Sequence, residues 1–157
     1  MIRVRAIGYF KAALVFALPI AVLAPVMGRI VLNGTPSVKA SIFWKTPDQA
    51  IEKGDFVMAP ARHPYIPPNY PYLTKIAMCF PGDRLKFEAG RFSCNGVPLN
   101  QTKKETLTGA PLEPFQWNDA VIPPGKVFIG SPHPDGFDSR YLGFFAIEEL
   151  TRLEALI

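Results

Sequence analysis

Hydrophobic residues are distributed in two different ways along this chain of 157 residues. Near the N-terminus, the seventeen residues from Ala12 to Gly28 are all uncharged and mostly aliphatic. Beyond residue 33, short apolar runs alternate with turn-forming residues. The pattern therefore predicts one segment of membrane-spanning character, followed by a domain built from short strands.

The N-terminal apolar segment approaches the length that a membrane-spanning helix needs. Seventeen helical residues rise about 25 Å, against a hydrocarbon core of about 30 Å. Arg29 follows the segment, but its long side chain can reach the membrane surface, so the span can extend to Leu32. The sequence predicts a single transmembrane anchor at residues 12–32.

Charge near the N-terminus sets the expected orientation of this anchor. Arg3, Arg5 and Lys11 precede the apolar segment, and positively charged flanks remain in the cytoplasm. Three regions are expected: a cytoplasmic basic head at residues 1–11, the anchor at 12–32 and an exported domain at 33–157.

A cleaved signal peptide is the alternative to an anchor. Its cleavage motif would follow the apolar core, and the one candidate site lies after Ala24. Pro25 directly follows that site, and proline is a poor residue after a cut. We therefore favour an uncleaved anchor and a bitopic membrane protein.

The remainder of the chain has the pattern of an antiparallel β domain. Its apolar runs are short and are separated by turn signals, among them Pro81-Gly82-Asp83 and Asn95-Gly96. An extended loop is expected at residues 60–72 and a surface excursion at 100–120. The C-terminal segment has helical spacing but can also end as a strand. We predict a mainly β, compact antiparallel fold. Strands are predicted at Ser41–Lys45, Phe56–Ala59, Leu73–Phe80, Leu85–Glu88, Phe92–Cys94, Val97–Leu99, Val127–Ile129 and Phe144–Ile147.

Composition and charge exclude several classes of protein. Hydrophobic residues make up 48% and charged residues 19%, which is enough apolar material for a core. Seventeen prolines and twelve glycines would interrupt a long helical bundle many times. The net charge of +4 comes mostly from the basic head, and the rest of the chain is nearly neutral. A nucleic-acid partner is therefore not expected.

Several familiar catalytic motifs are absent from the sequence. There is no GxSxG, phosphate-binding loop, dinucleotide fingerprint or HExxH. The two histidines, His63 and His133, each stand beside a proline, and a surface or turn role is expected for both. The two cysteines do not form a CxxC pair, so no zinc site is predicted. No metal and no other cofactor is implied.

One residue breaks the local hydrophobic pattern. Lys75 lies within the apolar run Leu73–Phe80, so it is either at a strand edge reaching water or buried for a reason. Burial penalises the ammonium form and lowers the pKa of a lysine by as much as about 3–5 from about 10.4. A neutral lysine is a general base, and its presence would call for a nucleophile elsewhere in the chain.

The first segment after the anchor supplies a candidate nucleophile. Thr35 and Ser37 flank Pro36, a stiff link that can fix two hydroxyls relative to each other. A Thr-Pro-Ser tripeptide also occurs in ordinary turns, so this segment alone leaves both interpretations open.

Together, these features resemble the type I signal peptidases, a family of membrane-anchored Ser/Lys peptidases. Residues 75–83, KIAMCFPGD, match the lysine motif of the family, and residues 138–144, DSRYLGF, match its last motif. The segment 33–44, NGTPSVKASIFW, is most similar to the TraF-like branch, whose members process the pilin of conjugative transfer systems. The resemblance covers most of residues 1–150.

The resemblance implies a role for each matching residue. Ser37 is the implied nucleophile and Lys75 its general base. The backbone N–H of Ser37 and the hydroxyl of Thr35 are the implied oxyanion hole. Asp138 and Arg140 are the implied ionic pair that supports the site.

The chain departs from the family pattern at two places. Gly136 stands where members often carry a serine that orients the lysine, so introducing a serine there is expected to speed cleavage. Lys39 and Ser41 replace the usual proline and glycine after the nucleophile. Ser41 is consequently a second candidate nucleophile.

The implied function is processing of an exported precursor, which the TraF-like resemblance suggests is a pilin. The enzyme would lie in the bacterial inner membrane, with its N-terminus in the cytoplasm and its catalytic domain in the periplasm. Its partners would be this protein substrate and membrane lipid. Two alternatives remain: a general signal peptidase for secretory precursors, and a non-catalytic bitopic assembly factor of the transfer apparatus.

The compartment also bears on the two cysteines. Cys79 and Cys94 are separated by fourteen residues that contain two predicted turns. Their strands can therefore be neighbours, and the exported compartment is oxidising. A Cys79–Cys94 disulfide is predicted, with two buried free thiols as the alternative.

Overall fold

The computed structural model of the chain describes residues 23–157. The predicted basic head and residues 12–22 of the predicted anchor lie outside this range. Residues 23–27 are helical, and Ile30–Leu32 form a strand. The chain belongs to a β-sheet from Ile30, so the last three residues of the predicted anchor at 12–32 are a strand and not part of a helix. Among the described residues, no helix has the length and apolar character to span a membrane.

The described residues form two antiparallel β-sheets, which confirms the mainly β fold class. The strands are β1 (Ile30–Leu32), β2 (Ile42–Lys45), β3 (Phe56–Pro60), β4 (Tyr72–Cys79), β5 (Arg84–Glu88), β6 (Arg91–Cys94), β7 (Val97–Gln101), β8 (Ala120–Val121), β9 (Lys126–Gly130), β10 (Phe145–Ala146) and β11 (Thr151–Ala155). The first sheet has the strand order β1-β2-β11-β3-β4-β9-β10, and the second has the order β7-β6-β5-β8. A short helix, α1 (Ser139–Leu142), lies between β9 and β10 in the chain.

The C-terminal segment ends as a strand. Its helical spacing produces only a 3-10 helix at Ile147–Glu149. β11 then inserts between β2 and β3, with Leu153 paired to both Lys45 and Phe56. Without β11, the facing edges of β2 and β3 would lack hydrogen-bond partners. Because backbone groups in a sheet need such partners, this pairing outweighs the local helical pattern.

Both predicted turns are present. Gly82 follows Pro81 with φ of 89°, a backbone conformation that glycine adopts without cost. Asn95 and Gly96 have φ of 49° and 79°, as a two-residue hairpin of the type I′ class requires. The second turn sets the register of β6 and β7, in which Cys94 pairs with Val97.

Apolar side chains from the sheets form the core that supports the site. One cluster contains Val57, Ala77 and Ile129 from the first sheet. A second cluster contains Leu85 and Phe92 from the second sheet. Phe128 of β9 also belongs to this second cluster, so the two sheets are packed together at β9.

A disulfide also connects the two sheets. Cys79 ends β4 in the first sheet and Cys94 ends β6 in the second. The structure joins them in a disulfide with a Cα–Cα distance of 5.9 Å, within the usual range for such bonds. The link lies four residues after Lys75 on the same strand.

Candidate active site

Lys75 is buried on an interior strand, and it does not reach water at a strand edge. Its side chain is 2% exposed, and it pairs in register with Val57 of β3. Burial lowers the pKa of Lys75 from 10.5 to about 8. The negative charge of Asp138 opposes this shift, and the positive charge of Arg140 adds to it. A substantial fraction of this lysine is therefore neutral near pH 8.

The strand pairing leaves part of β4 open beside Lys75. β3 pairs with β4 from Tyr72 to Ile76. On the other side, the pairing of β9 with β4 begins only at Ile76, opposite Gly130. The stretch of β4 from Tyr72 to Lys75 therefore has one paired edge and one edge that borders a groove.

Ser37 lies in a loop held by local hydrogen bonds. Thr35 Oγ1 is 3.1 Å from Ser37 Oγ and 3.1 Å from Asn33 Oδ1. Asn33 Nδ2 donates to the carbonyl oxygens of Thr35 and Ala40, at 2.8 and 3.1 Å. Asn33 therefore fixes the loop that carries the two hydroxyls, a role that its side-chain chemistry permits but the sequence pattern did not single out.

The structure brings Ser37, Thr35 and Lys75 to one groove. The groove has a volume of about 980 Å³, and all three residues line it. Its walls are largely apolar and include Tyr65 and Tyr70 of the loop between β3 and β4, and Tyr72 of β4. Ser41, the second candidate nucleophile, does not line it. Ser41 directly precedes β2, and its N–H donates to the Ile157 carbonyl oxygen at 2.7 Å.

Asp138 and Arg140 form a buried ion pair beside the groove. Arg140 Nε donates to Asp138 Oδ1 at 2.8 Å, and Arg140 Nη2 donates to Asp138 Oδ2 at 2.9 Å. The remaining guanidinium protons go to backbone carbonyls, including Gln101 at 2.9 Å and Gly136 at 2.6 Å. The pair is thus fully hydrogen-bonded, and it holds the segment before α1 against β7.

A side chain at position 136 would meet atoms that already fill the space around Gly136. A Cβ at this position would lie 2.7 Å from Ser131 Cβ, 2.9 Å from Ser131 Oγ and 2.8 Å from Arg140 Nη2. The added side chain would displace these neighbours, which speaks against the expectation that Gly136→Ser speeds cleavage. The side chain of Ser131 occupies this space, and the sequence pattern did not identify Ser131 as a residue of the site.

The two histidines have local contacts. His133 lines the groove, and its Nδ1 accepts a hydrogen bond from Asp135 N at 3.2 Å. The ring of His63 meets the rings of Tyr65 and Phe137 edge to face. Neither histidine is hydrogen-bonded to Ser37 among the contacts of the described residues.

Potential metal ligands gather at one place in residues 23–157. Cys79, Asp83 and Cys94 bring their ligand atoms within 4.8 Å of one another. Both sulfur atoms belong to the disulfide, which leaves one carboxylate oxygen donor. Asp83 instead accepts from Phe80 N and Asn95 Nδ2, at 2.8 and 2.6 Å.

Comparison with known proteins places the chain in a family. No curated protein matches it. Among solved structures, a signal peptidase I from Enterococcus faecalis V583 is similar, with 24% sequence identity and a TM-score of 0.40. That similarity covers 68% of this chain and 95% of the other. A family model described as signal peptidase, peptidase S26, matches residues 4–155. The chain therefore belongs to the S26 signal peptidases, a family of serine peptidases.

Proposed function

We propose that the chain is a membrane-anchored endopeptidase in which Ser37 is the nucleophile and Lys75 the general base. The observation that carries this proposal is the burial of Lys75 in the wall of the groove that Ser37 also lines. A lysine with a pKa of about 8 can take a proton at moderate pH, whereas an exposed lysine cannot. The second candidate, Ser41, lies outside the groove, which favours Ser37.

The proposed reaction proceeds through an acyl-enzyme. Neutral Lys75 accepts the proton of Ser37 Oγ, and this oxygen attacks the scissile carbonyl carbon. The Ser37 N–H and the Thr35 hydroxyl stabilise the oxyanion that forms. Protonated Lys75 then gives its proton to the leaving amine as the peptide bond breaks. Water, or an amine of the substrate, resolves the ester and regenerates Ser37.

The groove suits an extended polypeptide. Residues 72–75 of β4 border it with one unpaired edge, and residues 31–37 also line it. A peptide in extended conformation can add to such an edge through backbone hydrogen bonds, with side chains entering apolar pockets. Such binding would bring a scissile carbonyl past Ser37 and Lys75 in turn.

The proposed substrate is an exported, membrane-inserted precursor, most specifically a pilin of a conjugative transfer system. The NGTPSVKASIFW segment and its TraF-like resemblance support the pilin. The apolar segment that begins at Ala12 supports an inner-membrane anchor, with the domain from residue 33 in the periplasm. Membrane lipid is then a second partner, and no nucleic acid is required.

Purified full-length protein in detergent provides the test. It would be incubated with the co-encoded pilin precursor and, separately, with an ordinary secretory precursor, and the products weighed by mass spectrometry. Cleavage of the pilin alone supports the proposal, and cleavage of both indicates a general signal peptidase. Cleavage of neither points to a non-catalytic assembly factor.

Variants measured in the same assay test which residues are the nucleophile and the general base. Ser37→Ala should abolish cleavage, because no acyl-enzyme can form, and Lys75→Ala should lose about 100- to 10,000-fold. Ser41→Ala is the matched control and should retain activity. An active Ser37→Ala variant together with an inactive Ser41→Ala variant would move the nucleophile to Ser41.

A further inference from the structure

Ser131 is a buried polar residue whose side chain contacts the backbone of the Ser37 loop. It is 1% exposed, and its hydroxyl donates to the carbonyl oxygen of Ser37. The N–H of His133 donates to the same hydroxyl oxygen at 3.0 Å. The Ser131 hydroxyl oxygen thus accepts a hydrogen bond from its own loop, and its hydrogen is donated to the loop that carries Ser37.

The backbone around Ser131 is fixed to the strand that carries Lys75. Gly130, the residue before Ser131, pairs with Ile76, the residue after Lys75. On the other side, Asn100 Nδ2 donates to the Ser131 carbonyl oxygen at 2.6 Å. Ser131 is therefore held by both sheets. Its contact with Ser37 connects the loop that carries Ser37 to the first sheet, which carries Lys75.

From this geometry we infer that Ser131 is a positioning residue for the peptidase reaction, which sets the Ser37 loop relative to Lys75. The inference rests on the proposed function. Gly136 contributes to the same arrangement, because a Cβ at this position would lie 2.7 Å from Ser131 Cβ and 2.9 Å from Ser131 Oγ. The absence of a side chain at position 136 leaves the room in which the Ser131 hydroxyl reaches Ser37.

A merely structural role makes a different prediction from a positioning role. Removal of any buried, hydrogen-bonded hydroxyl lowers stability, whereas removal of this one should also slow the chemical step. Ser139 is a matched control, since it is equally buried and its Oγ accepts from Ile129 N at 2.9 Å. Ser139 does not line the groove and has no contact with Ser37 among the hydrogen bonds of the described residues.

The experiment measures the reactivity of Ser37 directly with a fluorophosphonate probe, which labels activated serines. Full-length wild-type, Ser131→Ala, Ser139→Ala and Ser37→Ala proteins in detergent would be labelled between pH 6 and pH 10, below their measured melting temperatures. Ser131→Ala should be labelled about 10- to 100-fold more slowly, because a small misplacement of reacting groups has this effect. The midpoint of its pH profile should stay at the wild-type value, because the burial of Lys75 is unchanged. Ser139→Ala should melt at a lower temperature and be labelled at the wild-type rate.

The outcomes separate this inference from the proposed function. The positioning role alone is overturned if the wild type is labelled and Ser131→Ala is labelled at the same rate. It is also overturned if Ser139→Ala loses as much labelling rate as Ser131→Ala. Absence of labelling in the wild type overturns the proposed nucleophile, and the role of Ser131 falls with it. If Ser131→Ala is unfolded, Gly136→Ala replaces it, since its new methyl group would displace the Ser131 hydroxyl. A folded Gly136→Ala protein that is labelled at the wild-type rate would also overturn the inference.

Discussion

Lys75 on β4 pairs in register with Val57 on β3, and Val57 has no exposed surface. Lys75 therefore lies in an apolar part of the sheet, where its ammonium form is poorly solvated. This burial is the largest cause of the lowered pKa of Lys75, ahead of the charges of Asp138 and Arg140. The position of the residue in the sheet, more than the neighbouring Arg140 cation, lowers the pKa of Lys75 into the range that the proposed base requires.

The first prediction concerns the pH dependence of cleavage. If Lys75 is the base, it must be neutral to act, so the single-turnover rate should rise with pH along a limb whose midpoint is about 8, the pKa of Lys75. The rate should level off above that value. Single-turnover cleavage of a precursor peptide between pH 6 and pH 10 measures this limb. A flat profile, with the chemical step shown to limit the rate, would contradict a lysine base.

The second prediction concerns the carboxylate of Asp138. Its negative charge raises the pKa of Lys75, so Asp138→Asn should move the midpoint of the pH profile to lower pH. The same change leaves the buried Arg140 guanidinium without its carboxylate and should destabilise the fold by about 3–5 kcal/mol.

Denaturation curves and pH profiles of the Asp138→Asn variant test both effects. A variant at an exposed ion pair, Asp119→Asn, is the control, because Asp119 pairs with Arg84 at the surface of the second sheet. Its effect on stability should be about 1 kcal/mol or less. A midpoint that moves to higher pH in Asp138→Asn would refute the proposed electrostatics.

Much of the fold is encoded locally and could be predicted from the sequence. The turns at Gly82 and Asn95-Gly96 depend on the residues that stand there, and the longer strands show the expected apolar runs. β1 was missed because its three apolar residues directly continue the pattern of the N-terminal segment. β11 was ambiguous because its position between β2 and β3 is a property of the sheet, not of its own sequence.

The candidate site divides in the same way. Lys75 was recognisable because a charge in an apolar run is a local anomaly, and the choice between edge and interior needed the sheet order. Ser131 and Asn33 show no anomaly in the sequence, since serine and asparagine are ordinary residues of loops. Only the folded structure shows their contacts. Ser131 contacts Ser37, which is distant in sequence, and Asn33 holds its own loop.

The third prediction concerns the disulfide between Cys79 and Cys94. It closes a loop with a sequence separation of 15 residues, and cross-linking a loop of this size stabilises a fold by about 3 kcal/mol. Reduction should therefore lower the free energy of unfolding by about that amount. Alkylation of the unfolded, unreduced protein should add no label, and reduction should add two. Two labels without reductant would show that the bond does not form.

The last prediction is that Lys75→Met stabilises the protein while abolishing its activity. The folded-state pKa of Lys75 is about 8, against 10.5 for the ordinary side chain, so the unfolded chain binds more protons between these two values. Stability should consequently rise with pH across this window, by about 3 kcal/mol for this group. At pH 7 the lysine is charged in both states, and the full cost of burying that charge opposes folding.

Methionine has a similar length and no charge, so Lys75→Met should raise the free energy of unfolding at pH 7 by up to about 3 kcal/mol. The variant should also lose the part of the pH dependence that Lys75 contributes between about 8 and 10.5. Urea denaturation of wild-type and variant protein at pH 7 and pH 10 measures both effects. Lys86→Met is the control, because Lys86 is a more exposed lysine in the second sheet and should change stability little. If Lys75→Met were less stable than the wild type at pH 7, the ammonium would be a net stabilising group, and the burial that is proposed to create the base would not carry the expected cost.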